Sequence, residues 1–203
     1  MIRVGQDSRG MASPTITIFD LEYTAWECSM ARHWLTPGEF KEVVQIGAVK
    51  LDADSFAPLA EFEMLVRPRI NPHLSSYFEN LTGITSDMVA RRGEDFAVAY
   101  ARFLDFAGDG PVAAFGRDER VLEDNLRLYG MTGARSLPLF YDLRGWFAVQ
   151  GVDPRGMHSC DLGRALGLAF VGQTHNALHD ARAIAGAMAV MTSRGSRLVR
   201  PAA

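Results

Sequence analysis

The feature that most constrains this chain is a short apolar segment that ends in two carboxylates, Thr15–Glu22 with the sequence TITIFDLE. Its pattern predicts a β-strand that is buried on both sides. Because successive side chains of a strand point to opposite faces, Asp20 and Glu22 share one face, roughly 6.6 Å apart along it. Two acids in this position repel each other and resist desolvation. A divalent metal ion or a set of arginines would neutralise them, and the segment alone does not decide between the two.

The composition is that of a globular chain and limits its partners. The chain has 203 residues, 48% of them apolar, and a formal net charge of −3. Such a chain is not expected to coat nucleic acid through bulk electrostatics, although an enzyme that grips one strand end is not excluded. No apolar run approaches the ~20 residues that cross a bilayer, so no membrane partner is expected. Cys28 and Cys160 fit no metal-ligand spacing, which favours a reducing cytoplasm.

The sequence predicts one domain between two tails. Residues 1–13 are polar and aperiodic and are expected to form a flexible leader, in which Met11 is an alternative start. Residues 14–192 would form the domain. Residues 193–203 carry three arginines and no acid and are expected to form a basic, flexible tail.

The order of elements predicts the fold class. The predicted strands are at 15–22, 42–51, 61–66, 111–115 and 139–141. The predicted helices are at 75–81, from 85 or 86, at 96–106, at 118–129, from 142, at 161–166 and at 176–191. Three antiparallel strands followed by alternating helices and strands imply an α/β fold, in which a mixed five-stranded sheet has helices on both faces.

A few polar residues further along the chain are candidates for a site. Asp118 begins a predicted helix after a strand, where an acid is most often an N-cap. Asp180 lies within the apolar stripe of the last helix, where a charged acid needs a metal or an ion-paired partner. His175 precedes that helix and could reach over the site that Asp180 enters, although a lone loop histidine is usually a surface residue. His158 and His179 have no comparable placement and are treated as background.

These residues form three motifs in order along the chain. They are FDLE at 19–22, the helix start at Asp118, and HNALHD at 175–180. The set resembles the DEDDh 3′–5′ exonucleases of the ribonuclease H-like superfamily. The segments 66–72 and 115–118 are further similar to the Eri-type exonucleases that trim structured RNA, a branch that includes bacterial sporulation-inhibitor homologues. The resemblance covers about residues 15–191 and implies a ribonuclease H-like fold.

The resemblance also implies a mechanism, a metal-dependent hydrolysis from a free 3′ end that releases nucleoside 5′-monophosphates. Two divalent ions, Mg²⁺ or Mn²⁺, about 3.5–4 Å apart would be held by carboxylates. The implied metal ligands are Asp20, Glu22, Asp118 and Asp180. Glu22 and His175 are the implied catalytic residues, and His175 is the general base.

The implied substrate is single-stranded or 3′-overhanging nucleic acid, with RNA in preference to DNA, and a homodimer is left open. Tyr23, Leu81, Thr82 and Phe115 occupy motif positions that contact the substrate, although Phe115 is as readily an ordinary core residue. The chain also departs from the family pattern. Tyr23 replaces a small residue that often follows the motif glutamate, and His179 stands where a second aspartate is common.

Two other functions remain open from the sequence. One is a nucleic-acid-binding module that kept the fold without catalysis, which the presence of all four acids and the histidine disfavours. The other is a metal phosphodiesterase that acts on nucleotides or dinucleotides rather than on polymers.

Overall fold

A computed structural model describes residues 14–169 and 171–196. The predicted leader at 1–13, with Met11, and residues 197–203 of the predicted tail lie outside the described residues. The elements in chain order are β1 (Thr15–Tyr23), α1 (Ser29–Arg32), β2 (Val43–Asp52), β3 (Pro58–Leu65), α2 (Ser76–Thr82), α3 (Ser86–Arg92), α4 (Phe96–Ala107), β4 (Val112–Ala114), α5 (Asp118–Leu128), β5 (Phe140–Asp142), α6 (Leu143–Val149), α7 (Asp161–Ala165) and α8 (Ala177–Ser193).

The strands form one five-stranded sheet in the order β3-β2-β1-β4-β5. The β1–β2 and β2–β3 pairs are antiparallel, whereas the β1–β4 and β4–β5 pairs are parallel. This confirms the predicted α/β fold with a mixed five-stranded sheet. Because β1 is the central strand, the acids at its end lie in the middle of the sheet edge.

The alternation of β1 places its side chains in two separate cores. Ile16 and Ile18 pack in a cluster with residues of α6, α7 and α8. Phe19 and Leu21 pack in another with residues of α4 and α5. Helices therefore cover both faces of the sheet, and the prediction of a strand buried on both sides is confirmed.

Between β1 and β2 the sequence predicts only a loop, and the structure contains α1 there. This helix has four residues and lies between left-handed backbone at Cys28 (φ 61°) and His33 (φ 54°). Arg32 holds it in place by donating hydrogen bonds to the Glu27 carbonyl and to the Glu39 carboxylate. A helix of this length has no periodicity to detect, because its stability comes from contacts outside the helix.

The last helix and the residues after it lie where the sequence predicts the domain to end. Residues 193–196 belong to the predicted tail, but α8 ends at Ser193, and the Ser196 hydroxyl donates a hydrogen bond to Gln150. Within the described residues, no helix is both long and apolar enough to cross a membrane.

Candidate active site

The site is built around the carboxyl end of β1. Asp20 and Glu22 are buried, with 9% and 8% of their surface exposed. The pairing of β1 with β2 is regular up to Glu22 and shifts register before Tyr23. Such irregularities change the direction of a strand next to functional sites. Both acids line the cleft that opens at this end of β1.

Asp180 reaches this space because α8 comes very close to β2. Gly47 pairs with Asp20 across the sheet, and a Cβ atom at Gly47 would lie 2.1 Å from the Leu178 backbone nitrogen. The absence of a side chain therefore lets the first turn of α8 rest on the sheet. Gln45 fixes the contact, because its Oε1 accepts a hydrogen bond from the Ala177 backbone N–H at 2.9 Å. Asp180, one turn later, is 4% exposed.

Asp118 is brought to the site by α5. The buried side chain of Asn125 accepts a hydrogen bond from the Val43 N–H and donates one to the Lys41 carbonyl, which ties α5 to the start of β2. Asp118 is the first residue of α5, and Arg117 takes the N-cap position. Asp118 is therefore not the N-cap of α5, the role that its position after a strand also allowed.

The structure brings the four predicted acids and His175 to one cleft of about 410 Å³. This volume lies within the range of small-molecule sites. Glu22, His175 and Asp180 can each offer a ligand atom within 4.8 Å of the others. The four acids come from β1, α5 and α8, three elements that are far apart in the sequence.

The acids raise one another's pKa. Burial raises the pKa of Asp20 from its ordinary 3.8 to about 8, and the charge of Asp180 adds to the shift. Burial likewise raises the pKa of Asp180 to about 7. The pKa of Glu22 is raised by burial and then by the charges of the other acids, and burial also raises that of Asp118. The cleft therefore disfavours four ionised carboxylates unless a bound cation offsets their charge.

These features fit a divalent metal ion. In residues 14–169 and 171–196, none of the four acids forms an ion pair with Lys or Arg. The Oδ1 atom of Asp180 is buried without a hydrogen-bond partner among the described residues. Carboxylate oxygens are the ligands that Mg²⁺ and Mn²⁺ prefer. Within the described residues, arginines therefore do not neutralise the strand-end acids through ion pairs.

Asp20→Asn should therefore stabilise the metal-free protein at alkaline pH. The folded state holds the Asp20 proton more tightly than the unfolded state, so the free energy of unfolding falls as pH rises from about 4 towards 8. Asparagine has no such charge, and its oxygen can still accept a hydrogen bond from Ser159. In EDTA at pH 8 we expect a gain of about 1–3 kcal/mol in chemical denaturation.

Asp124→Asn, on the exposed surface of α5, serves as the control and should not produce this gain. The advantage of Asp20→Asn should shrink at pH 5, and Mg²⁺ should reverse it. Equal stability of wild type and variant in EDTA at both pH values would contradict the electrostatic account.

His175 lies on the loop before α8, in left-handed backbone with φ 57°, and is half-buried. Burial and the nearby His158 lower the pKa of its imidazole, which keeps the ring neutral near neutral pH. His158 itself lines the cleft, and its ring packs edge-on against that of His175 with centroids 5.6 Å apart. His158 therefore lies at the cleft, contrary to the expectation that it is a background residue. His179 is hydrogen-bonded to Gln173 and does not line the cleft.

Two further cleft residues carried no sequence signal. Ser159 donates a hydrogen bond from its hydroxyl to Asp20 Oδ1 at 2.9 Å, which fixes the orientation of that carboxylate. Arg144, near the start of α6, brings a positive charge to the cleft. Neither residue belongs to a local pattern, because Ser159 lies 139 residues from Asp20 and contacts it only through the fold.

The predicted substrate-binding residues divide into two groups. Tyr23, Leu81 and Phe115 line the cleft, although Phe115 is only 4% exposed and its ring packs edge-on against Phe147. Thr82 does not line it. The Thr82 hydroxyl instead donates a hydrogen bond to the Phe78 carbonyl and accepts one from the Ile84 N–H, at the end of α2.

One wall of the cleft is aromatic and comes mostly from the segment around α1. The wall includes Trp26, Met30, Trp34 and Tyr77. Trp34 packs against Tyr23 with ring centroids 5.5 Å apart, and Lys41 Nζ lies 4.4 Å from the Trp34 centroid. The cleft therefore combines a carboxylate cluster with apolar side chains on which a nucleobase could stack.

Comparison of the whole structure with solved structures identifies the fold. The nuclease domain of 3′hExo, described as a DEDDh family member bound to rAMP, matches with a TM-score of 0.76 and 23% identity, over 93% of this chain and 96% of the other. Cell-death related nuclease 4 (CRN-4) matches with a TM-score of 0.74 and 19% identity, over 90% and 65% of the two chains. Exonuclease I of E. coli, in complex with a dA16 oligonucleotide, matches with a TM-score of 0.65 and 16% identity, over 89% of this chain and 41% of the other. The fold is that of the ribonuclease H-like exonucleases.

The sequence gives the same assignment independently. Residues 17–188 match the family model RNase_T, described as Exonuclease. Since this match spans most of the chain, the protein belongs to the exonuclease family. No curated protein matches the sequence.

Proposed function

We propose that this protein is a metal-dependent 3′–5′ exonuclease of the DEDDh type that hydrolyses RNA in preference to DNA and releases nucleoside 5′-monophosphates. The observation that carries the proposal is the convergence of four carboxylates and one histidine in a single cleft without a Lys or Arg ion pair from the described residues. Family membership makes the acids of this cleft the first candidates for the chemistry.

The proposed metal ligands are Asp20, Glu22, Asp118 and Asp180, which would hold two Mg²⁺ or Mn²⁺ ions. When bound, the ions would supply positive charge at the scissile phosphate and lower the pKa of the attacking water. The protein's own part is to orient the carboxylates. Ser159 does so for Asp20, and the placement of α8 on Gly47 does so for Asp180.

His175 is the proposed general base. It accepts a proton from the water that attacks phosphorus, and the bond between phosphorus and the 3′ oxygen of the preceding nucleotide breaks. A neutral imidazole is needed at the start, and burial together with His158 favours that state. His175 also lies beside Glu22 and Asp180, where the reacting water would be held.

The preference for RNA rests on the second motif and on the segment before α2. Phe115-Gly116-Arg117-Asp118 and Val66–Pro72 are similar to the Eri-type branch, and we assign the chain to that branch on this basis. A 3′-exonuclease of the same fold is described as recognising the 3′ end of a histone mRNA stem-loop.

We propose a cytoplasmic location, because the two cysteines are free. The homodimer stays a prediction.

The test is degradation of 5′-labelled RNA and DNA oligomers of identical sequence. With Mg²⁺ we expect a ladder that shortens from the 3′ end, faster on RNA, with nucleoside 5′-monophosphates as product. EDTA should abolish the ladder, and added Mn²⁺ should restore it. A circular oligomer is the control and should stay intact, because it has no 3′ end.

Each alternative has its own outcome in this assay. A binding module without catalysis would shift the oligomer on a native gel and leave its length unchanged. A phosphodiesterase restricted to small substrates would cleave dinucleotides and spare the oligomer. Cleavage of the circle, or a ladder that persists in EDTA, would contradict the proposed function.

A further inference from the structure

Arg144 is the one lysine or arginine among the described residues that line the cleft. Its backbone position is fixed, because Asp142 caps α6 and accepts a hydrogen bond from the Arg144 N–H at 2.9 Å. The side chain is exposed, so the protein core does not depend on it. Arg144 therefore brings a permanent positive charge to a cleft of carboxylates, and the structure of the cleft does not require it for folding.

The guanidinium group of Arg144 lies on a platform. Its Cζ atom is 5.3 Å from the centroid of the Phe115 ring, within the range of a cation–π contact. On the neighbouring side, a Cβ atom at Gly116 would lie 3.7 Å from Cζ, an ordinary van der Waals distance, so the guanidinium group also lies close to the Gly116 backbone. Phe115, predicted to bind substrate directly, thus supports the arginine that faces the cleft.

Among the residues that the structure describes, no carboxylate forms an ion pair with Arg144. Nine arginines of the described chain form ion pairs within 4.0 Å, and Arg144 is not among them. Its charge is nevertheless felt in the cleft, where it opposes the rise in the pKa of Asp118. The donors of the guanidinium therefore remain available for an anion that enters.

We propose that Arg144 binds a phosphate group of the substrate strand inside the cleft. A planar guanidinium matches phosphate oxygens with two parallel hydrogen bonds, and an aromatic platform leaves its edge free to form them. Four acids would otherwise repel a polyanion, so a fixed cation at their border would favour entry of the strand. This inference rests on the proposed function, since it assigns a residue to that substrate.

Binding rather than turnover gives the first test. The affinity for a labelled single-stranded RNA oligomer is measured by fluorescence anisotropy at several salt concentrations. Ca²⁺ is present because it binds carboxylate ligands. A gel checks that the oligomer stays intact. Each phosphate contact contributes about 0.7 to the slope of log affinity against log salt. We expect Arg144→Gln to reduce this slope by about 0.7 and to weaken binding roughly tenfold.

Two further variants separate charge from geometry. Arg144→Lys should keep the wild-type slope but bind more weakly, because an ammonium group lacks the bidentate fork. Arg135→Gln removes the same charge outside the cleft, where Arg135 pairs with Asp105, and should leave the slope unchanged. If Arg135→Gln and Arg144→Gln lowered the slope equally, the change would reflect the net charge of the protein. The assignment of a phosphate to Arg144 would then be overturned.

Turnover with Mg²⁺ gives the second test. Arg144→Gln should lower kcat/KM on the oligomer by roughly 10–100-fold, the range expected for lost hydrogen bonds to a charged group. A wild-type slope and affinity in Arg144→Gln, or no oligomer binding by the wild type, overturns the inference about Arg144. Absence of a 3′ ladder in a wild type that binds the oligomer contradicts the proposed function alone.

Discussion

Asp180→Asn is expected to remove nearly all exonuclease activity while the protein still folds. The substitution takes away the charge of a proposed metal ligand whose Oδ1 is buried without a partner among the described residues. Metal ions contribute several kcal/mol to stabilisation of the transition state, so the rate on a 5′-labelled oligomer should fall by roughly 10³-fold or more. Affinity for Mn²⁺, measured by calorimetry, should fall with it.

The fold should survive this change, because asparagine has the same shape and relieves repulsion among the acids. Circular dichroism and the melting temperature in EDTA are the measurements that check this. Asp124→Asn, on the exposed side of α5, provides a matched loss of one carboxylate and should keep full activity. Wild-type turnover in Asp180→Asn would exclude Asp180 as a ligand and would remove α8 from the site.

His175→Ala is expected to lower kcat by roughly 10²–10⁴, the usual contribution of a general base. Metal affinity should change much less, since the four carboxylates remain. At saturating Mg²⁺, which keeps the carboxylates ionised, kcat/KM of the wild type should rise with pH as the imidazole loses its proton. Because the pKa of His175 lies below its ordinary 6.5, this rise should be nearly complete at neutral pH. The same rise should be absent from His175→Ala.

Two other histidine variants show whether His175 itself is the base. His158→Ala leaves His175 in the cleft without its neighbouring ring and should cost less than His175→Ala. His73→Ala changes an exposed histidine outside the cleft and should have no effect. A larger loss in His158→Ala than in His175→Ala would transfer the role of base to His158.

The strand-end acids and the acid of the last helix were predictable because both depend on local periodicity. Alternation along a strand places Asp20 and Glu22 on one face, and helical spacing places Asp180 on a buried stripe. The motifs in order then predicted the family, which the match over residues 17–188 confirms. The membership of Asp118 in the site depended on the resemblance, since its own position predicted a helix cap.

The contacts between distant segments were not predictable in the same way. His158 was treated as background, yet its ring lies against that of His175. Thr82 belongs to a motif beside the cleft, but its hydroxyl is used to end α2. Phe115 was predicted at the cleft with two roles open, and only the position of α6 shows that Arg144 covers its ring.

By itself, the sequence determined the order of the strands and of every helix except α1, the buried faces of β1 and α8, and the carboxylates that meet in the cleft. These properties depend on the repeat of a strand or a helix, which a few neighbouring residues define. Only the tertiary structure decided how closely α8 approaches β2 at Gly47, that Ser159 orients Asp20, and that Arg144 lies beside four acids without an ion pair from the described residues. Those contacts join segments up to 139 residues apart, and packing across the sheet rather than local preference fixes their geometry.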